Sequence, residues 1–297
     1  MRRPHAALLA GSFVISFSAV FVRLADSDPF TVAFFRATYA LPVLFLLWWR
    51  RRRADQRTNR ERYFAAASGF FLAIDLIAWH AAIGYIGAGL STLIANSQVL
   101  VVAAVSWVIL KEEMKPAVLI SIAVMLVGLA MMTGLGRQDT FGSRPGLGVV
   151  FGLISAFSYA LFLMLWRQSN IKHAPTAGPL MEATAGAALT TLVAASIIGT
   201  GLDFTFSWPS HGWLLMLAFG NQVLGWLIIG YGLPRLPAIE TSIVILCQPV
   251  ITMFWAMLFF GERPSSLQMV GGGVVIAAVA VASFAGVRRI EEAPAQL

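Results

Sequence analysis

Asp75 and Trp79 lie four residues apart in the apolar run from Tyr63 to Gly84, one turn apart on one helical face. A central membrane carboxyl costs on the order of 2.5–3.5 kcal/mol on insertion scales, so such groups face a cavity or a partner. Asp75 is therefore a candidate to bind a substrate amine or to carry a proton; the alternative is a packing carboxyl held by hydrogen bonds. An indole face attracts cations and stacks on aromatic rings, so Trp79 suits an amino-acid or aromatic substrate. Trp226 stands in the same relation to Gln222, and two indoles with two polar groups could line one site. His80 is about 140° around the helix from Asp75, poorly placed for a direct relay. It is a second candidate proton carrier, weighed against a hydrogen-bonded structural role.

Gln98 and Gln248 fall deep enough in their apolar runs to present amides near the midplane. They are candidates to bind a carboxylate or an amine; an interhelical amide bond is the alternative. Asn96 is about 200° from Gln98, so both cannot face one cavity, and Asn96 is assigned to packing. Asn221, beside Gln222, could reach the cavity or the next helix. Pro249 removes a helical hydrogen bond and could kink its run beside the site, leaving a carbonyl for binding and a flexible point for gating. Arg36 and Glu182 read as structural or gate residues near opposite faces. Arg36 would snorkel or pair with Asp26 or Asp28, and Glu182 would reach Lys172 or water.

The elements that must position these groups are apolar blocks of about twenty residues, each long enough to cross a ~30 Å hydrocarbon core as a helix. The chain is 58% hydrophobic and 12% charged, which excludes a soluble globule. Continuous rather than alternating apolarity excludes barrel strands. The spans are Ala6 to Val22, Pro29 to Trp49, Tyr63 to Gly84, Leu90 to Leu110 and Pro116 to Gly134, then Gly146 to Trp166, Gly178 to Ile198, His211 to Leu233, Ala238 to Phe260 and Leu267 to Gly286. The expected fold is an all-α integral membrane protein of ten transmembrane helices. Its connections are too short for a soluble catalytic domain. The opening Met1-Arg2-Arg3 followed by an apolar run lacks a cleavage site and is taken as the first helix.

The net charge of +7 reports orientation rather than nucleic-acid binding. Of 21 Lys and Arg, Arg23, Arg137, Arg144 and Arg263 fall on one side and Arg36 within a span; the rest flank the termini's side, seven of them between Arg50 and Arg62. Both termini are expected in the cytoplasm, in a bacterial inner membrane. The single Cys247 excludes an internal disulfide. With no glycine-rich phosphate loop, zinc-ligand spacing or nucleophile-base set in the loops, no cofactor or metal is expected.

The two halves repeat. Gln98 to Val124 matches Gln248 to Val274 at a shift of 150 residues, setting Glu112 on Glu262 and the turn from Lys111 to Pro116 on that from Gly261 to Pro264. Arg36-Ala37-Thr38 falls on Glu182-Ala183-Thr184, and Asp75 and Trp79 fall on Gln222 and Trp226. Five spans per copy invert the second copy relative to the first, the arrangement by which many secondary transporters build two gates around one site. The repeats are residues 6–134 and 146–286 of one membrane domain. Small faces at Gly128 and Ala130, and at Gly271 to Gly273, suit scaffold packing or a weak dimer contact.

The Glu-ended fourth and ninth spans, Gln248-Pro249-Val250 within the ninth and Gly261-Glu262-Arg263-Pro264 after it resemble the drug/metabolite transporter superfamily, in its ten-span EamA-like branch. The first half departs from the pattern at Val99 and Lys111. The resemblance implies export or exchange of small metabolites through a central cavity, and the chain looks most like the YddG-type exporters of aromatic and other neutral amino acids. The expectation is a secondary transporter of neutral amino acids, including aromatic and large apolar ones, working by alternating access as a monomer or weak homodimer. Alternatives are an exporter of other metabolites or drugs, a channel, or a membrane-embedded enzyme. Scattered His5, His80, His173 and His211 argue against the last. Phosphorylated substrates are disfavoured because the one span arginine, Arg36, is expected away from the centre. The first span lacks the glutamate that compact multidrug relatives use.

Overall fold

In the computed structural model, residues 3–108, 116–132, 145–170, 175–198, 201–261 and 265–292 are described; 86–90, 92, 93, 106, 132, 145, 256 and 282–292 are described by their backbone alone. The helices are α1 (Arg3–Ser16), α2 (Ser18–Ala25), α3 (Pro29–Arg51), α4 (Asn59–Asn96), α5 (Gln98–Val108), α6 (Pro116–Met132), α7 (Pro145–Ser169), α8 (Ala177–Ile198), α9 (Ser210–Met216), α10 (Trp226–Gly232), α11 (Ala238–Ile245), α12 (Cys247–Phe260) and α13 (Ser266–Glu292). A π-helical segment, Leu217–Gly225, joins α9 to α10. The matched Glu112 and Glu262, the turn residues Lys111 and Pro264, and Lys172 lie outside the described residues.

Local sequence explains where several helices begin. Asp28 accepts from the backbone N–H of Phe30 and Thr31 at 2.9 and 3.1 Å, and Pro29 opens α3, where a missing N–H costs nothing. Thr58 and Glu61 form a reciprocal capping box at the start of α4.

Among the described residues, seven stretches are long and apolar enough to cross a membrane: Arg3–Ala25, Pro29–Ala54, Asn59–Tyr85, Gly146–Ser169, Ala177–Ile198, Ser210–Arg235 and Ala238–Phe260. Three shorter apolar helices, Ile94–Val105, Pro116–Met131 and Ser266–Val281, occupy the expected fourth, fifth and tenth positions. The outer surface is apolar, with Leu153, Phe157, Leu189, Ile197 and Ile276 exposed. Such a surface suits lipid, not water.

The expected break between the third and fourth spans is instead a bend. Residues 59–96 form one helix assignment. Asp75 nevertheless meets Ser155, Tyr85 stacks on Phe151, and Ile94 packs on Gly152, all on α7. A straight helix would hold Asp75 and Ile94 about 28 Å apart. The axis therefore turns back within a stretch that carries Gly84, Gly87 and Gly89 and no proline.

α4 lies against α7 and α8, and α3 against α8; their buried side chains join those of α1 and α10 in one core that includes Leu8, Leu44, Leu72, Phe162, Trp166 and Ile229. At the α4–α8 crossing a Cβ on Gly69 would collide with the Ala183 carbonyl, so only glycine permits this approach. A second core joins α5, α6, α11, α12 and α13. Here a Cβ on Gly128 would lie 2.9 Å from the Gly271 carbonyl, so these small faces pack on one another as scaffold.

Candidate binding cavity

Three long apolar runs are interrupted mid-course, at Phe17 between α1 and α2, at Ser97 between α4 and α5, and at Leu246 between α11 and α12. A helix end inside a membrane leaves carbonyls that must find donors. Asn221 supplies them for α1, its amide donating to the carbonyls of Val14 at 2.9 Å and Ile15 at 3.0 Å. Thr252 Oγ1 donates to the Ser16 carbonyl at 3.1 Å, and the Trp255 indole N–H donates to Ser16 Oγ at 2.8 Å. Polar side chains of the second half thus complete the broken first helix.

Beside these interruptions lies a cavity of about 110 Å³ whose lining includes Ser16, Ser18, Arg36, Asp75, Trp79, Asn96, Tyr159, Trp226, Gln248, Pro249 and Thr252. Arg36 is 3% exposed. Its Nε donates to Gln222 Oε1 at 2.9 Å and its Nη1 to Ser18 Oγ at 3.1 Å. Gln222 is fixed in turn by donating from Nε2 to Thr184 Oγ1 at 3.0 Å. Asp75 Oδ1 accepts from Ser155 Oγ at 2.6 Å. No ion pair within 4 Å joins Arg36 to Asp75 among the described residues, so a guanidinium and a carboxyl border one space, each held by neutral partners.

Aromatic rings form one wall. Trp226 stands perpendicular to Phe162 and Trp166, with centroids 4.9 and 5.4 Å away, and edge-on to Tyr159 at 6.4 Å. Outside the lining, Phe17 stacks on Trp255 at 4.1 Å. The cavity therefore combines a guanidinium, a carboxyl, amides and indoles in a low-dielectric surround.

The model of the EamA-like transporter family matches residues 3–134 and again 146–284. The chain belongs to the EamA-like transporter family. Similar full-length proteins include an uncharacterized transporter of Archaeoglobus fulgidus, 23% identical over 95% of this chain and 97% of its own. The uncharacterized transporter YcbK of Bacillus subtilis is 22% identical over 90% and 88%. A crystal structure 15% identical in sequence superimposes with a TM-score of 0.78, covering 98% of this chain and all of its own, a likeness of fold. The family and both of these relatives are described as transporters.

In this EamA-like chain the structure brings Asp75, Trp79, Trp226, Gln248 and Pro249 to the cavity and leaves other expected residues outside its lining. Gln98 is fully buried and accepts from Ser242 Oγ at 2.9 Å, while Asn96, assigned to packing, lines the cavity. The two glutamines part because Gln98 is the first residue of its helix and Gln248 the second, a rotation of about 100°. Gln222 sits behind Arg36 rather than at the surface, and Asn221 caps α1. Both belong to the π-helical segment. His80 is buried beside the α3 N-terminus, outside the lining. Pro249 lies in the first turn of α12, and the interruption falls at Leu246, three residues earlier, within the turn whose hydrogen bond to residue 245 the proline cannot make.

Arg36 corrects the expectation of a peripheral arginine. It starts two turns into α3, and its long side chain reaches inward to Gln222 and Ser18 instead of outward to Asp26 or Asp28. Glu182 corrects likewise. It accepts from Arg57 at 2.7 and 3.1 Å and from Arg62 at 3.1 Å. Arg57 also binds Asp55, which accepts from the Trp48 indole N–H. Burial alone would raise the Asp55 carboxyl, but the hydrogen bonds and charge of Arg57, with Trp48, outweigh it and hold it at about 2.

Sequence reading also missed two residues of α7: Ser155, which holds Asp75, and Tyr159, which lines the cavity. Their four-residue spacing in an apolar run is the signal that could have found them.

Proposed function

We propose that this EamA-like protein is a secondary transporter that exports or exchanges small neutral metabolites, amino acids including aromatic and large apolar ones, by alternating access. The observation that carries this reading is the cavity shared by Arg36, Asp75, Asn96, Gln248 and the indoles of Trp79 and Trp226. One guanidinium and one carboxylate leave the lining near neutral, which suits neutral molecules better than phosphorylated ones. A volume of about 110 Å³ is well below the roughly 300–1,000 Å³ of pockets for drug-sized ligands, which favours metabolites over drugs.

Ten spans in two inverted five-helix repeats, residues 6–134 and 146–286, are part of the same proposal, with both termini in the cytoplasm of a bacterial inner membrane. The double match of the family model and the helix interruptions just before Gln98 and Gln248 support the duplication. Two halves joined around interrupted helices could rock about the cavity. The YddG-type exporters are the branch this reading favours, working as a monomer or weak homodimer.

Counterflow of labelled amino acids into vesicles bearing purified protein tests the function. Saturable exchange is expected, with Trp79→Ala and Gln248→Ala together lowering it at least about tenfold. Leakage that never saturates would make the protein a channel.

A further inference from the structure

The cavity holds a buried guanidinium and a buried carboxyl that form no ion pair with each other among the described residues. Arg36 spends Nε on Gln222 and one Nη1 hydrogen on Ser18, leaving Nη2 without a hydrogen-bond partner among the described residues. Asp75 spends Oδ1 on Ser155, leaving Oδ2 likewise. Both residues line the same space. Two more donors from lining residues, Gln248 Nε2 and Trp226 Nε1, have no partner among the described residues.

A buried charge is costly until an opposite charge or hydrogen bonds compensate it. Here the fixing partners are all neutral: Gln222, itself braced by Thr184, with Ser18 and Ser155. They aim the two charges without neutralising them. A ligand bearing both a carboxylate and an ammonium would compensate both at once. A ligand bearing one would leave the other buried charge unmatched.

We propose that Arg36 and Asp75 form a zwitterion clamp that selects free α-amino acids, the carboxylate on the Arg36 guanidinium and the ammonium on Asp75, with the side chain against Trp79, Tyr159 and Trp226. This rests on the transport reading above and adds the group-by-group recognition. Gln248 and the Trp226 N–H are further donors for the carboxylate. Gln222, Ser18 and Ser155 are positioning residues. Simple amines, simple carboxylic acids and peptides blocked at one end are rejected.

The test uses wild-type protein in proteoliposomes and the amino acid that gives the fastest counterflow. Its decarboxylated amine and its deaminated acid are added as competitors; for phenylalanine these are 2-phenylethylamine and 3-phenylpropionate. Each is expected to compete at least about a hundredfold more weakly than the amino acid, because a site built to bind a polar group discriminates strongly against its absence. Arg36→Gln is expected to close the gap for the amine but not for the acid, and Asp75→Asn to close it for the acid but not for the amine. If a variant does not yield folded protein, the wild-type competition series decides alone. Amino-acid counterflow with either analogue competing within about threefold overturns the clamp and leaves the transport reading standing; the charges then only balance one another. Absence of counterflow with every amino acid overturns both.

Discussion

Arg36 shows how one side chain's length changes a functional reading. Its Cα lies toward one end of α3, but four flexible bonds carry its guanidinium to Gln222 and Ser18 at the cavity. The Gln222 amide is the brace, accepting from Arg36 and donating to Thr184. Gln222→Ala is therefore expected to raise KM for the transported amino acid several-fold, with a smaller effect on maximal rate, measured by initial-rate counterflow. A loss confined to expression level would show that Gln222 serves folding alone. Asn221 belongs to the other class. Its replacement by Leu leaves the Val14 and Ile15 carbonyls bare inside the protein, which costs about 1–3 kcal/mol per unsatisfied group. Thermal unfolding in detergent should show a clear drop for Asn221→Leu, and Asn221→Asp, which lacks the donating NH2, should show it too.

At the scale of elements, interruptions in α1–α2, α4–α5 and α11–α12 and the π-helical turn before α10 gather around one cavity, so the site is made by helices that stop rather than by helices that pass. Elsewhere the helices are held by close contact and by charge. Gly69 lets α4 reach the α8 backbone, and Gly69→Leu is expected to prevent assembly of monodisperse protein by forcing that crossing apart. At one end of the spanning stretches, Asp55 and Arg57 of the α3–α4 connection, with Arg62, tie that connection to Glu182 of α8. Because the Asp55 carboxyl is held at about 2, below its ordinary 3.8, its contribution to stability is complete above about pH 4. It is lost as pH falls from there toward 2. Melting temperature of the detergent-solubilised protein should fall across that interval, and Asp55→Asn should flatten this part of the profile while lowering stability at neutral pH.

Over the whole molecule, the two cores divide unequally. One runs through α1, α3, α4, α7, α8 and α10, and the other through α5, α6, α11, α12 and α13, so each mixes helices of the first and second halves of the chain. Interleaving of this kind means neither half should be stable alone. Expressed separately, residues 1–139 and 140–297 are expected to aggregate, and together to recover transport; independent folding of either would contradict the shared cores. The proposed inverted arrangement makes its own prediction. Single cysteines placed at position 3 and near position 290, in a background lacking Cys247, should both resist a membrane-impermeant thiol reagent added outside intact cells.

Apolar blocks and the i, i+4 pairing of Asp75 with Trp79 were legible in the sequence because each depends on neighbours within a turn or on the length of a lipid crossing. The matched Gln98 and Gln248 were legible as a pair, yet a one-residue difference in where their helices begin turned one to the cavity and the other to Ser242. The same limit hid Arg36, whose partners are 18 and 186 residues away. Periodicity along a chain determines which face a residue occupies on its own helix. What that face meets depends on where the helix breaks and how far a side chain extends, and only the packed structure decides both.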